Sequence, residues 1–221
     1  MANKTDMKMV LIFDTETTGL IPKNANSYEF CPYILQLSYV MYNLETCTID
    51  EIFNEYVKIP STVNYDEQKI EEINGITREL CNTKGKPLIY VLTKFYTAYL
   101  RADCIVAHNI EFDRKMIQIE LLRNNLLFRM PMFHQNNVKK EECTMVMSLK
   151  LCNIIQTNKW GKPYVKNPKL SETYHKLFDI EPEPDTLHNA IMDTIYCLRC
   201  YLKMQHDIEI PEALFATWGY E

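Results

Sequence analysis

The chain has 221 residues and a net charge of −5, from 24 basic and 29 acidic side chains. That length suits one domain with a sizeable core, and the acidic balance excludes tight, non-specific binding of a long polyanion through overall charge alone. Hydrophobic content of 47% with five Gly and ten Pro excludes a linker or low-complexity chain, and no apolar run approaches the roughly 18 residues of a membrane span.

Residues 9 to 14, "MVLIFD", are expected to form a strand buried on both faces, closed by turn signals at Gly19 and Pro22. Residues 33 to 42 are rich in β-branched and aromatic types, and residues 48 to 57 roughly alternate apolar with polar. Together they predict an antiparallel meander. The period then changes to a helix over 86 to 102, a short buried strand over 103 to 109, and a helix over 110 to 126. In that helix Phe112, Met116, Ile119 and Leu126 are expected to form the core stripe. A short strand at 141 to 144 and helices near 145 to 153, 170 to 178 and 188 to 205 complete an α/β pattern with a mixed sheet. The eight cysteines lack closely framed spacing and are expected as reduced thiols. With no secretion signal at the first apolar stretch, this predicts an intracellular protein of cytoplasm or nucleus, with no membrane partner.

The chemistry concentrates in acids. Asp14 and Glu16 are two apart on the first strand and so share a face at its carboxyl end, where open α/β sheets place ligands. Alone, such an Asp-x-Glu also suits a strand closing at the surface. "AHNIEFD" puts His108 and Asn109 at the end of the second buried strand, with Phe112 and Asp113 in the next helix's first turn. "LHNAIMD" puts His188 just before or at the start of the last helix and Asp193 in its second turn, on a stripe with Cys197 and Cys200. An acid on an apolar stripe demands a partner.

The ordered set "FDTETTG", "AHNIEFD" and "LHNAIMD" resembles the three motifs of the DEDD exonuclease family, histidine subclass, the DnaQ-like 3′→5′ exonucleases similar to the proofreading exonucleases of DNA polymerases. "INGIT", "ECTM" and "LSETYHKLF" support the match, which spans about residues 8 to 204, leaving 205 to 221 as a C-terminal extension of a single 1 to 221 domain. His188 precedes Asp193 by five, as the histidine subclass requires. The resemblance implies a ribonuclease H-like fold, a five-stranded mixed sheet flanked by helices. It also implies two Mg²⁺ or Mn²⁺ ions, hard cations that want oxygen ligands. By this resemblance Asp14 bridges both ions, Glu16 and Asp193 complete one, Asp113 holds the other partly through water, and His188 is the general base. His188 could otherwise be a helix-cap neighbour or a core imidazole. Thr17, Gly19 and Leu20 would meet the 3′ nucleotide, with Leu20 wedged against a base, and Asn74, His108 and Phe112 would line its pocket.

The implied partner is a single-stranded or frayed 3′ end, with a DNA polymerase or replication protein as a second. An exoribonuclease, or a non-catalytic binding module of the same fold, are the rival functions. The segment 158 to 169 interleaves Lys159, Lys162, Lys166 and Lys169 with Trp160 and Tyr164, a composition that suits either a strand-guiding loop or a solvated surface. "CLRC" at 197 to 200 lacks a second Cys or His pair for zinc and is expected to pack the core.

Overall fold

The computed structural model describes residues 7–23, 27–133, 139–182 and 189–211. Strands β1 (Met9–Thr17), β2 (Ile34–Asn43) and β3 (Thr48–Tyr56) form the expected antiparallel meander. Strands β4 (Cys104–Ala107) and β5 (Lys140–Cys143) add to it in parallel, giving the order β3-β2-β1-β4-β5. The sheet is therefore mixed, with β1 in its centre and covered on both sides.

Side-chain alternation along β1 divides the core in two. Leu11 and Phe13 face α3 (Leu88–Arg101) and α4 (Ile110–Arg123), packing with Val91, Leu92, Phe95, Met116 and Ile117. Val10 and Ile12 face α8 (Ala190–His206), packing with Ile191, Ile195, Leu198 and Leu202. Each such fully buried side chain contributes roughly 1.5–3 kcal/mol. Burial on both faces is why "MVLIF" carries no polar alternation, and it fixes the register, since a slip by one residue would exchange the two cores.

Helix α8 buries eleven of its seventeen residues, because α7 (Leu170–Phe178) covers the side turned away from the sheet. Arg199 lies in that seam with its guanidinium 5.0 Å from the Tyr174 ring centre and 4.7 Å from Phe178. Cys197 and Cys200 are buried free thiols, and the Cys197 sulfur is 3.4 Å from the Thr144 hydroxyl.

The core stripe of α4 differs from expectation. Its buried positions are Ile110, Asp113, Met116, Ile117, Glu120 and Leu121, whereas Phe112 and Ile119 are only partly buried. Two acids on the buried face hide the stripe from an apolar-periodicity argument. Helices α1 (Glu67–Asn74) and α2 (Arg78–Thr83) also go beyond the expected pattern. They are polar, short, and started by the side chains of Asp66 and Thr77, which accept from Lys69 N and Leu80 N at 3.1 and 3.0 Å. The single helix expected over 145 to 153 is two short ones, α5 (Thr144–Met147) and α6 (Leu149–Cys152). After them comes a two-stranded ribbon, β6 (Ile155–Thr157) and β7 (Pro163–Val165), where a loop was expected. Among the described residues no helix is long and apolar enough to cross a membrane.

Candidate active site

Strand β1 runs on past the expected Asp14 to Thr17, so both acids lie within regular strand, paired as Asp14 with Ser38 and Glu16 with Gln36. Their side chains point to the α8 side of the sheet, continuing the Val10 and Ile12 face. Helix α8 starts at Ala190, capped by the Asn189 side chain accepting from Ile191 N at 3.2 Å, which puts Asp193 in its first turn. One carboxylate oxygen each of Asp14, Glu16 and Asp193 lies within 4.8 Å of the others. Strand and helix thus bring residues 177 apart in sequence to one point.

Three half-buried carboxylates this close repel one another. Burial holds the Asp14 carboxyl up at about 7. Glu16 is pushed up to about 9, first by burial and then by the charges of Asp14 and Asp193, against a lowering hydrogen bond from Asn74. No basic side chain among the described residues enters either balance. A cluster of hard oxygen donors that raises its own proton affinity could hold a divalent cation.

Asp113 approaches from the other side of the sheet, because α4 packs on the Leu11 and Phe13 face. Its Oδ1 accepts from both the backbone N and the hydroxyl of Thr15, at 3.0 and 2.7 Å. Burial, followed by the Asp14 charge, raises its pKa well above the ordinary value. Its charge acts on Asp14 and Glu16, although it is not one of the three acids whose oxygens lie within 4.8 Å. Thr15, whose role no motif argument anticipated, fixes its carboxylate.

The remaining expected site residues have definite places. Asn74 ends α1; its Oδ1 accepts from Ile76 N at 3.1 Å, which turns its amide NH2 toward Glu16 Oε2 at 3.2 Å. It meets a carboxylate of the cluster directly. Thr17 Oγ1 donates to Gly19 O at 2.7 Å, and Gly19 has φ +151°, which favours glycine. That turn projects Leu20, 84% exposed, as a ridge between two clefts. One, of about 380 Å³, is lined in part by Thr18, Phe30, Tyr33 and Tyr65; the other, of about 400 Å³, by Asn109, Phe112 and Lys115. His108 is engaged within the fold: Nδ1 is 2.9 Å from Thr144 Oγ1 and Nε2 3.0 Å from Pro168 O, while burial lowers its pKa. His188 lies outside the described residues, as does most of the C-terminal extension.

Two buried supports carry no motif. Gln36 on β2 accepts from Ala190 N at 3.3 Å and donates to Asn54 at 2.8 Å, tying the start of α8 to the sheet. Its only sign in the sequence is an amide inside the apolar run "YILQLSYVMY". Arg123 pairs with the buried Glu120 at 2.6 Å, donates to the carbonyls of Tyr28, Cys31 and Pro32, and stacks 3.7 Å from the Tyr33 ring centre. Glu120 Oε1 also accepts from Ile34 N at 3.3 Å. Tyr33 in turn exchanges two 2.9 Å hydrogen bonds with Thr18, so Arg123 braces the wall of the cleft those two residues line.

A family model described as RNase_T, exonuclease, matches residues 11–201. DNA polymerase III subunit epsilon of Rickettsia typhi is 24% identical over 195 residues, covering 88% of this chain and 72% of that protein. The PolC-type DNA polymerase III of Mycoplasmopsis pulmonis is 25% identical over 191 residues, which are 78% of this chain and 12% of that much longer one. Among solved structures, E. coli exonuclease I in complex with a dA16 oligonucleotide superposes with a TM-score of 0.59 at 17% identity, covering 90% of this chain and 41% of that one. Exonuclease I of Methylocaldum szegediense gives 0.60 at 16%, with 90% and 41% covered. The likeness extends over nearly the whole chain and accounts for the ribonuclease H-like sheet.

Proposed function

The chain belongs to the RNase_T exonuclease family, and on that premise we propose that it hydrolyses the terminal phosphodiester of DNA from the 3′ end, releasing nucleoside 5′-monophosphates. The observation that carries this reading is the convergence of Asp14, Glu16 and Asp193 within 4.8 Å at the carboxyl end of the central strand. Asp14, Glu16 and Asp193 would hold the divalent cations, with Asp113 as a further ligand, and that metal would supply charge neutralisation on the scissile phosphate and a lowered pKa for the attacking water.

The chain's own groups do the rest. His188, as in the histidine subclass, accepts the water's proton on its imidazole as general base. As the water oxygen bonds to phosphorus, the bond to the 3′ oxygen of the shortened strand breaks. Leu20 parts the last base from its neighbour across the two clefts, and the Thr17 to Gly19 turn meets the terminal sugar. Asn74 keeps the Glu16 carboxylate turned to the cluster. The family motif spans the single domain, and the protein works inside the cell, beside a polymerase or other replication protein that supplies the affinity a net charge of −5 withholds.

The test offers 5′-labelled single-stranded DNA, duplex DNA with a mismatched 3′ end, and RNA, with Mg²⁺, Mn²⁺ or chelator. Laddering of the DNAs with metal supports the reading; laddering of RNA alone replaces it with an exoribonuclease, and none at all with a binding module.

A further inference from the structure

The ribbon β6–β7 is exposed at all six strand residues, including Ile155, Tyr164 and Val165. A two-stranded ribbon that buries neither face gains little from its apolar side chains and is marginal by itself. Hydrogen bonds nevertheless define its tip. At its tip Asn158 Oδ1 accepts from Trp160 N and Lys162 N at 2.9 and 3.1 Å, and Gly161 takes the φ of +76° that closes the turn. Tyr164 Oη donates to Gln156 Oε1 at 3.0 Å, which sets the ring's direction.

What this frame presents is cationic and aromatic. Residues 154 to 169 contain four Lys and no Asp or Glu, in a chain whose net charge is −5. Trp160 is 72% exposed, and the Lys159 ammonium stands 4.5 Å from its ring centre. Lys166 is spent on Glu172 at the root, leaving Lys159 and Lys162 at the tip. The root is fixed beside the carboxylate cluster: Pro168 O meets His108, His108 meets Thr144, and Thr144 meets Cys197, one turn along α8 from Asp193. His108 follows β4, which is parallel to β1, so ribbon root and acids share one end of the sheet.

We propose that the ribbon is a docking arm for single-stranded DNA a few nucleotides upstream of the 3′ terminus, with bases stacking on Trp160 and Tyr164 and Lys159 and Lys162 neutralising phosphates. The proposal rests on the exonuclease reading for which strand is held, yet it is a statement about binding. Stacking serves any base, so the arm adds affinity without sequence preference. Charge complementarity commits the occupant: a basic, aromatic, acid-free surface in an acidic protein fits a polyanion carrying flat rings.

The experiment measures binding of dT4 and dT15 by the full chain in chelator, where turnover is absent, through tryptophan fluorescence in a Trp218→Phe background that leaves Trp160 as the reporter. The expected result is quenching by dT15, with Trp160→Ala (followed by a labelled oligonucleotide) weakening dT15 about tenfold and leaving dT4 unchanged. The double variant Lys159→Gln/Lys162→Gln should flatten the salt dependence of dT15 binding by about 1.4 in log–log slope, near 0.7 per phosphate contact. Trp160→Phe should keep most of the affinity. Unchanged dT15 affinity and salt slope in both variants overturns the arm. Because binding is read without turnover, an exonuclease that ladders DNA with unaltered dT15 binding sinks the arm alone, and an inactive protein whose dT15 binding needs Trp160 sinks only the catalytic reading.

Discussion

Replacing Asp14 with Asn keeps the side chain's shape and removes one charge from the cluster, and it should stabilise the metal-free protein while abolishing its activity. Burial holds the Asp14 carboxyl up at about 7. Between the unfolded chain's carboxylate range and that value the folded chain binds more protons than the unfolded one, so stability falls as pH rises through this window. At pH 8 the full difference amounts to about 4 kcal/mol, at about 1.4 kcal/mol per tenfold change in protonation. Partial exposure of the side chain reduces this to about 2 to 4 kcal/mol. For a chain of this length, that raises Tm by roughly 4 to 16 °C. Scanning calorimetry in chelator at pH 8 and pH 5 is the assay. The gain should shrink to less than half at pH 5, where the wild-type carboxyl is protonated in the folded chain. Adding Mn²⁺ should then raise the wild-type Tm much more than the variant's. A variant that melts at or below the wild type at pH 8, or a difference that does not grow with pH, would refute the electrostatic account of the site.

Asn74→Ala removes the hydrogen bond that turns Glu16 toward the cluster, and Mn²⁺ affinity by titration calorimetry should fall about 10- to 100-fold, as for other groups that orient a metal ligand. Asn74→Gln, with its longer reach, should not restore it. His188→Ala should lower kcat by at least about 10²-fold, the usual contribution of a positioned base, while leaving the Mn²⁺-induced Tm shift intact. Arg123→Ala leaves the Glu120 carboxylate buried without its partner, which costs about 3–5 kcal/mol in denaturant unfolding. Since Arg123 braces residues 28 to 33, KM for DNA should rise in that variant more than kcat falls.

The sequence carried the sheet well because its strands are buried runs bounded by turn residues: the meander from residue 9 to 57 and the short strand expected over 103 to 109, which the structure ends at Ala107, follow from burial on two faces. Two features were beyond that kind of argument. Helix α4 turns two acids inward, so its true stripe through Asp113, Met116, Ile117 and Glu120 lacks the apolar period that betrays a core helix. Helices α1 and α2 are polar and short, each burying a single residue, Ile70 and Cys81, against Leu35, so their apolar faces are too narrow to read as core helices. The acids themselves were legible because carboxylates beside buried strands demand compensation. Their arrangement was not: that Asp14, Glu16 and Asp193 meet on one side while Asp113 is held by Thr15 on the other depends on which helix covers which face. Thr15, Gln36 and Arg123 escaped because each acts through a partner distant in sequence.

The central claim is that the carboxylate cluster drives stepwise removal of nucleotides from a 3′ end with divalent metal. It is tested most directly by one single-stranded oligodeoxynucleotide labelled at its 5′ end in one reaction and at its 3′ end in another, with wild-type protein and Asp14→Asn, with Mg²⁺ and with chelator. The account predicts a one-nucleotide ladder from the 5′ label and immediate release of a labelled mononucleotide from the 3′ label, both only with wild-type protein and metal. Internal cuts, mononucleotide release from the 5′ label, or equal activity in the variant would contradict it.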